Sequence, residues 1–264
     1  MSEGGQAAAD GGCCGAAGVG PVVLVTRPEP DAHATAALLR ARGFRPLLAP
    51  MLRIAPLPAR LPPAHRLQAV LAGSLNAVRT LPATHRGVPL LAVGDATAEE
   101  ARRHGFRDVR SASGDATALA ALAARTLDAT AGPLLLPTRP GEGLRLAADL
   151  RTRGFRVLRR VTYDAVPVDE LAPEAEAALR THDVAVVLFF SASAARVFAR
   201  LVRDHGLEGQ LAGAEALAIS EAAASGLTGL AFRRIRSAAR PDQDSLLALL
   251  AASCGSEGMG KDRG

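Results

Sequence analysis

The chain repeats itself, and this repetition limits its possible folds more than any other feature. Thr26-Arg27-Pro28 recurs as Thr138-Arg139-Pro140, and Arg42-Gly43-Phe44-Arg45 recurs as Arg153-Gly154-Phe155-Arg156. Ser74, Ala77 and Arg79 line up with Ser191, Ala194 and Arg196. Leu91 to Ala112 lies without a gap on Leu217 to Ala238, sharing Phe106/Phe232, Arg107/Arg233 and Arg110-Ser111-Ala112/Arg236-Ser237-Ala238. Alanine-rich helices match one another by composition alone. The Arg-Gly-Phe-Arg and Thr-Arg-Pro matches, kept in order, are harder to produce that way. A length of 264 residues fits two such halves.

Within each half, short apolar runs alternate with helix-length stretches. Strands are expected at 22–26, 46–49, 68–72, 90–93, 108–111, 134–136, 156–161, 184–190, 216–219 and 232–236. Helices are expected at 31–42, capped by Asp31, and at 74–81, 96–104, 116–127, 142–153, 173–180, 192–205, 221–226 and 242–252. Such alternation predicts an α/β fold with parallel sheets covered on both faces. Two proline-bearing stretches interrupt it. Pro50, Pro56, Pro58, Pro62 and Pro63 crowd the first, and the second spans 162–168. Proline belongs neither inside a helix nor in a central strand, so each is a linker or an extended crossing. Both fall just after the second strand of the repeat. A change of lobe at each crossing makes lobe 1 discontinuous, 21–54 and 170–252, and lobe 2 the stretch 64–162. Residues 55–63 and 163–169 then form the hinge segments, with a ligand cleft expected between lobes. Residues 1–20 and 253–264 read as disordered tails.

The sequence also excludes several classes. Hydrophobic residues make up 48%, enough for a real core and too many for general disorder. No apolar run approaches the roughly 18–20 residues of a membrane helix. The first 20 residues carry no Lys or Arg, so neither a secretory signal nor a transit peptide is expected, and the reading is cytoplasmic. The cysteines, Cys13, Cys14 and Cys254, lie near the termini and make neither a disulfide framework nor a catalytic thiol. The net charge is +5, carried by arginines apart from Lys261. They are scattered and the chain is poor in aromatics, unlike a nucleic-acid surface. A solvated arginine surface is the simpler reading, and a field that draws an anionic small molecule the functional one.

The search for chemistry begins with absences. His33, His65, His85, His104, His182 and His205 form no metal-ligand spacing, so no metal is expected. No P-loop, dinucleotide fingerprint or nucleophile elbow occurs, and Gly141-Glu142-Gly143 is too short a match to count. Small polar groups at strand ends remain, where open parallel sheets bind ligands. These are Thr26 and Arg27, Gly73 and Ser74, Gly94 to Thr97, Thr138 and Arg139, Ser191 and Ser193, and Ser220. Arg145 sits in the first turn after Arg139. A helix follows each strand end, and its N–H groups can hold carboxylates. Singly, each hydroxyl reads as a plain N-cap and Arg145 as a solvated arginine; together they suit a polyanionic ligand. Tyr163 is the single tyrosine and lies in a crossing. Its phenol is either a donor facing a cleft or a packed hinge residue, with equal weight.

Several stretches resemble uroporphyrinogen-III synthases. They are Val23-Leu24-Val25-Thr26-Arg27-Pro28, Ala92-Val93-Gly94-Asp95-Ala96-Thr97-Ala98, Ser111 to Leu119, Tyr163-Asp164-Ala165-Val166-Pro167 and Phe189-Phe190-Ser191-Ala192-Ser193-Ala194. The resemblance runs from Val22 to about Leu250 and rests on order and spacing. It implies two flavodoxin-like lobes joined by a two-stranded hinge. It further implies cyclisation of hydroxymethylbilane, an octacarboxylate, with loss of water and inversion of the last pyrrole ring, without cofactor. It places Tyr163 at hydroxyl departure and Thr97 and Ser191 in the cleft; family analogy suggests a monomer. Two departures stand out. The family's first Phe-Thr-Ser is here Ala72-Gly73-Ser74, and its second Gly-Pro-x-Thr-Ala is Ser220-Glu221-Ala222-Ala223-Ala224. A non-catalytic two-lobed binder of an anionic small molecule is the rival from another class, and a nucleic-acid binder a weaker one.

Overall fold

The structure is a computed structural model and describes residues 20–255. Cys13, Cys14 and most of both expected tails lie outside these residues. In chain order the strands are β1 (Val22–Val25), β2 (Arg45–Leu48), β3 (Leu52–Pro56), β4 (Ala69–Ala72), β5 (Leu90–Ala92), β6 (Val109–Ser111), β7 (Leu134–Thr138), β8 (Val157–Val161), β9 (Tyr163–Pro167), β10 (Val184–Phe189), β11 (Glu215–Ala218) and β12 (Arg234–Ser237). The helices are α1 (Asp31–Ala41), α2 (Leu75–Arg79), α3 (Asp95–Arg103), α4 (Ala116–Thr126), α5 (Leu144–Thr152), α6 (Pro173–Arg180), α7 (Ala192–Asp204), α8 (Glu221–Ser225) and α9 (Gln243–Gly255).

The chain divides into two compact units, one up to Leu52 and from Pro167 onward, the other Arg53–Val166. Unit 1 holds a five-stranded parallel sheet in the order β12-β11-β10-β1-β2, and unit 2 a five-stranded parallel sheet in the order β6-β5-β4-β7-β8. Under the sequence repeat, β1 matches β7, β2 matches β8, and β10, β11 and β12 match β4, β5 and β6. The two sheets therefore have one strand order, entered by the chain at different strands. β3 and β9 pair in a separate two-stranded sheet.

Each parallel sheet is covered on both faces, so its central strands are apolar throughout. β1, β4 and β7 are buried at every position. In unit 2 one face packs Leu71, Leu91, Leu134 and Leu136 under α4 and α5, and the other packs Val70, Leu90 and Leu135 under α2 and α3. Unit 1 packs Val23, Val25 and Leu188 under α1 and α9. Its other face carries Phe189, with the Phe198 and Phe232 rings 5.2 and 6.4 Å away. Caps fix several helix starts. The Ser74, Ser191 and Ser220 hydroxyls accept from Ala77, Ala194 and Ala223 N–H, and Asp115 accepts from Thr117 and Ala118 N–H.

Four local expectations change. Asp31 does not cap α1; Pro30 holds that position, and Asp31 is the first helical residue, its carboxylate 3.4 Å from Arg27. β7 runs on to Thr138 and includes Pro137, because its register with β4 ends at Leu135 and the missing N–H costs no bond there. α5 begins at Leu144, not 142, because Gly141 and Gly143 take left-handed backbone (φ +77° and +73°) and hold the chain in a turn. α9 continues to Gly255, past the expected end at 252.

Candidate active site

In unit 2 the chain leaves β4 and β7, neighbours in the sheet, toward opposite faces. α2 follows β4 on one face and α5 follows β7 on the other. The crevice outside two such strand ends is the usual ligand position of an open α/β sheet. A cavity of about 500 Å³ lies there. Gly73 and Ser74 line it from the end of β4, Thr138 from β7, Glu142 and Gly143 from the following loop, and Arg145 from α5. Val93, Leu119, Leu136 and Leu144 form apolar wall, and Tyr163 completes the lining.

Tyr163 is brought there by the turn from β8 into β9. Thr162 pins that turn. Its N–H donates to the Thr138 carbonyl at 2.9 Å, its carbonyl accepts from Leu57 N–H at 2.9 Å, and its hydroxyl bonds with Thr80 at 2.8 Å. Tyr163 is only 3% exposed, and its hydroxyl lies 2.8 Å from the Ser74 hydroxyl. Burial pushes the phenol above its ordinary value; the Ser74 hydrogen bond opposes this, the Glu142 charge adds to it and the Arg139 charge subtracts. Tyr163 is therefore a neutral phenol at physiological pH. Ser74 already accepts from Ala77 N–H, and its own O–H can point at the phenol oxygen. In that arrangement Tyr163 donates onward into the cavity.

The loop after β7 shapes the other wall. Arg139 C=O accepts from Glu142 N–H at 3.3 Å around Pro140-Gly141, the sequence and φ pattern of a type II turn. Arg139 and Glu142 form an ion pair at 2.6 Å. A Cβ on Gly143 would stand 3.1 Å from Leu136 Cδ2 and 3.4 Å from Thr138 Oγ1, so the loop closes tightly only with glycine there. Gly143 is also the N-cap of α5 and brings no capping side chain, which leaves the first-turn N–H groups to be met by something else.

The structure gathers Ser74, Arg145 and Tyr163 at this cavity, with Arg139 in its loop. Gly94 caps α3 by backbone alone, and Thr97 is buried within that helix. The remaining candidates lie at strand ends of unit 1. Thr26 is fully buried and its hydroxyl donates to the Leu188 carbonyl at 2.7 Å. Arg27 donates to Gln243 at 2.6 Å and Thr35 at 3.2 Å, with its guanidinium 4.6 Å from the Phe190 ring centroid. Ser191 and Ser220 are half-buried helix caps, and Ser193 accepts from Arg196 at 3.3 Å. Sequence reasoning missed Glu142 and Gly143. The paired glycines around Glu142 are the available signal, although they match no phosphate motif.

A sequence model of the family described as uroporphyrinogen-III synthase HemD matches residues 33–248. The chain belongs to that family. Uroporphyrinogen-III synthases are cyclising lyases of tetrapyrrole biosynthesis that close hydroxymethylbilane with inversion of its last pyrrole ring, and that is the activity of this chain. Among solved structures, uroporphyrinogen-III synthetase from Helicobacter pylori shares the fold, at TM-score 0.59 and 17% identity, covering 89% of this chain and 99% of that one. A mutant uroporphyrinogen III synthase from the extremely thermophilic bacterium Thermus thermophilus is 22% identical over 89% of this chain and 99% of that one, at TM-score 0.48. No curated protein matches the chain. Among the described residues, no helix is long and apolar enough to cross a membrane.

Proposed function

We propose that the cavity of unit 2 is where this synthase acts on hydroxymethylbilane, and that the Tyr163 phenol assists departure of its hydroxyl. One observation carries the reading: a buried, neutral phenol, held at 2.8 Å by a capping serine, facing a cavity at the switch point of its sheet.

The chemistry sets modest demands on acidity. The C–O bond of the hydroxymethyl group breaks, and the pyrrole N–H gives up its proton. Hydroxyl and proton leave together as water and an azafulvene remains, so no net proton is needed. A donor on the leaving oxygen polarises the bond in the transition state. A phenol whose ionisation is disfavoured is suited to donating a hydrogen bond rather than to releasing its proton outright. The azafulvene is electrophilic, and water adds back to it readily. Val93, Leu119 and Leu136 keep one wall of the cavity apolar, which limits that return.

The remaining task is orientation, because the linear substrate also closes unaided to the uninverted ring. Orientation comes from many weak contacts to its carboxylates. In unit 2 these are assigned to the first-turn N–H groups of α5, Arg145, Arg139, Ser74 and the Gly94 backbone. A capping serine accepts with its lone pairs and keeps its O–H to donate.

Replacing Tyr163 by Phe removes one oxygen and keeps the ring. Turnover of hydroxymethylbilane is expected to fall about tenfold or more, within the range for loss of a positioned acid, while the melting temperature stays near that of wild type. Full turnover by a folded Tyr163→Phe variant would end this reading.

A further inference from the structure

Arg159 on β8 fastens the cavity loop from outside. Its Nε donates to the Glu142 carbonyl at 2.6 Å and its Nη2 to the Arg139 carbonyl at 3.2 Å. These two carbonyls bracket the Pro140-Gly141 turn, so one planar guanidinium spans it. The fork geometry suits Arg and cannot be reproduced by Lys. A peptide plane carries its N–H opposite its C=O, so holding the Glu142 carbonyl also fixes the Gly143 N–H at the start of α5. In unit 1 the repeat places Leu48 at the corresponding position, after Arg42-Gly43-Phe44-Arg45, and Leu48 has no side-chain donor. The clamp is thus confined to the unit that holds the tyrosine.

We propose that Arg159 is a positioning residue for the reaction: by holding the 139–142 turn through its two carbonyls, it keeps Glu142, Arg139 and the first turn of α5 in place against the Tyr163 hydroxyl. The inference rests on the reading that Tyr163 acts on substrate. Arg159 does not line the cavity, and it acts through the loop alone. The groups that act on the Tyr163 phenol are the Ser74 hydroxyl, through its hydrogen bond, and the Glu142 and Arg139 charges of the turn; Thr138 and Arg145 line the same cavity. Both charges belong to the segment that Arg159 holds. A slack turn admits water beside Tyr163, and this relief of burial, the largest cause of its raised value, favours the phenolate; the Glu142 and Arg139 charges leave together and act in opposite directions.

The composition of the chain makes the test clean. Tyr163 is its single tyrosine and it has no tryptophan, so tyrosinate absorbance in an alkaline titration reports Tyr163 alone. In Arg159→Met, the titration midpoint is expected to fall toward the ordinary phenol value of about 10. Turnover of hydroxymethylbilane is expected to fall about tenfold to hundredfold, as for misplacement remote from the chemistry. Arg159→Lys, which keeps the charge and can reach one carbonyl, is expected to lie between wild type and Arg159→Met in both readouts. It also serves as the test variant if Arg159→Met does not fold. A midpoint that stays at the wild-type value, or a turnover within about twofold of wild type, overturns the proposal. Full turnover in Tyr163→Phe together with a lowered midpoint in Arg159→Met would instead overturn the catalytic reading, and the role of Arg159 in turnover with it, leaving only its hold on the turn.

Discussion

At the carboxyl ends of β1 and β10, Arg27 lies over the Phe190 ring and bonds to Gln243 and Thr35. At the matching ends of β7 and β4, Arg139 turns aside to Glu142, and a cavity of about 500 Å³ stands beside Tyr163. The sheets share one strand order, and Thr-Arg-Pro occupies the matching position in both. The difference arises in the segments that follow. In unit 1, Gln243 comes directly after Asp242, whose carboxylate accepts from Ser245 N–H. In unit 2, Ala116 comes directly after Asp115, whose carboxylate accepts from Ala118 N–H. An alanine lines the cavity where its counterpart is a glutamine that holds an arginine. The double-glycine turn then pairs Arg139 with Glu142. Duplication thus supplied two switch points: at one, Gln243 and the Phe190 ring hold the arginine, and at the other a cavity stands beside Tyr163.

The largest expected effect concerns stability and separates the two cores. Phe189 is fully buried against Phe198 and Phe232, whereas the repeat places Ala72 at its position in unit 2. Phe189→Ala should cost about 3–5 kcal/mol in denaturant unfolding, because unit 1 is packed around that ring. The Tyr163 absorbance titration should stay at its wild-type midpoint. A large movement of that midpoint would show that the two units do not respond separately.

Ala116→Gln carries the unit 1 arrangement into unit 2. A glutamine at this wall is expected to enter the cavity and offer Arg139 a partner, as Gln243 does for Arg27. Turnover should fall by about tenfold, which is about 1.4 kcal/mol of activation free energy, with little change in melting temperature. Undiminished turnover would mean that the open switch point is not where substrate is handled.

The smallest effect is read at two equivalent serines. Ser74→Ala and Ser191→Ala each remove an N-cap and should each cost about 1 kcal/mol in thermal unfolding. Only Ser74 touches Tyr163, and its hydrogen bond lowers the phenol's pKa against the larger effect of burial. Removing it should therefore raise the tyrosinate midpoint further, while Ser191→Ala leaves it unchanged. The alkaline limb of activity, where the donor loses its proton as pH rises through the raised phenol value, should move upward in the Ser74 variant. Movement of that limb in both variants would break the distinction between the units.

Much of the fold is legible because it depends on local pattern. Val184–Phe189 is a buried parallel strand and reads as one continuous apolar run; Ser191 and Gly206 mark the ends of α7. The repeat supplied the equivalence of strands that the sheet orders then display. Departures came where tertiary context governs. Pro137 is tolerated in β7 because the β4 register has already ended, and nothing local shows where a neighbour stops pairing. The shift of α5 to Leu144 follows from two left-handed glycines in a segment whose helical pattern begins earlier. The site was legible as residue types at strand ends, through the rule for open sheets. The Ser74–Tyr163 bond joins positions 89 apart, and the Arg159 clamp joins side chain to backbone; neither leaves a periodic trace in sequence. The cavity itself is a matter of small residues such as Ala116 and Gly143, which signal nothing until their neighbours are known.

Isomer analysis of the product formed from hydroxymethylbilane tests the account most directly. Wild type is expected to give uroporphyrinogen III. Tyr163→Phe is expected to give it slowly, against a larger share of the type I product of unaided closure. A wild-type product that is type I alone, or a Tyr163→Phe variant that forms type III at the wild-type rate, would contradict it.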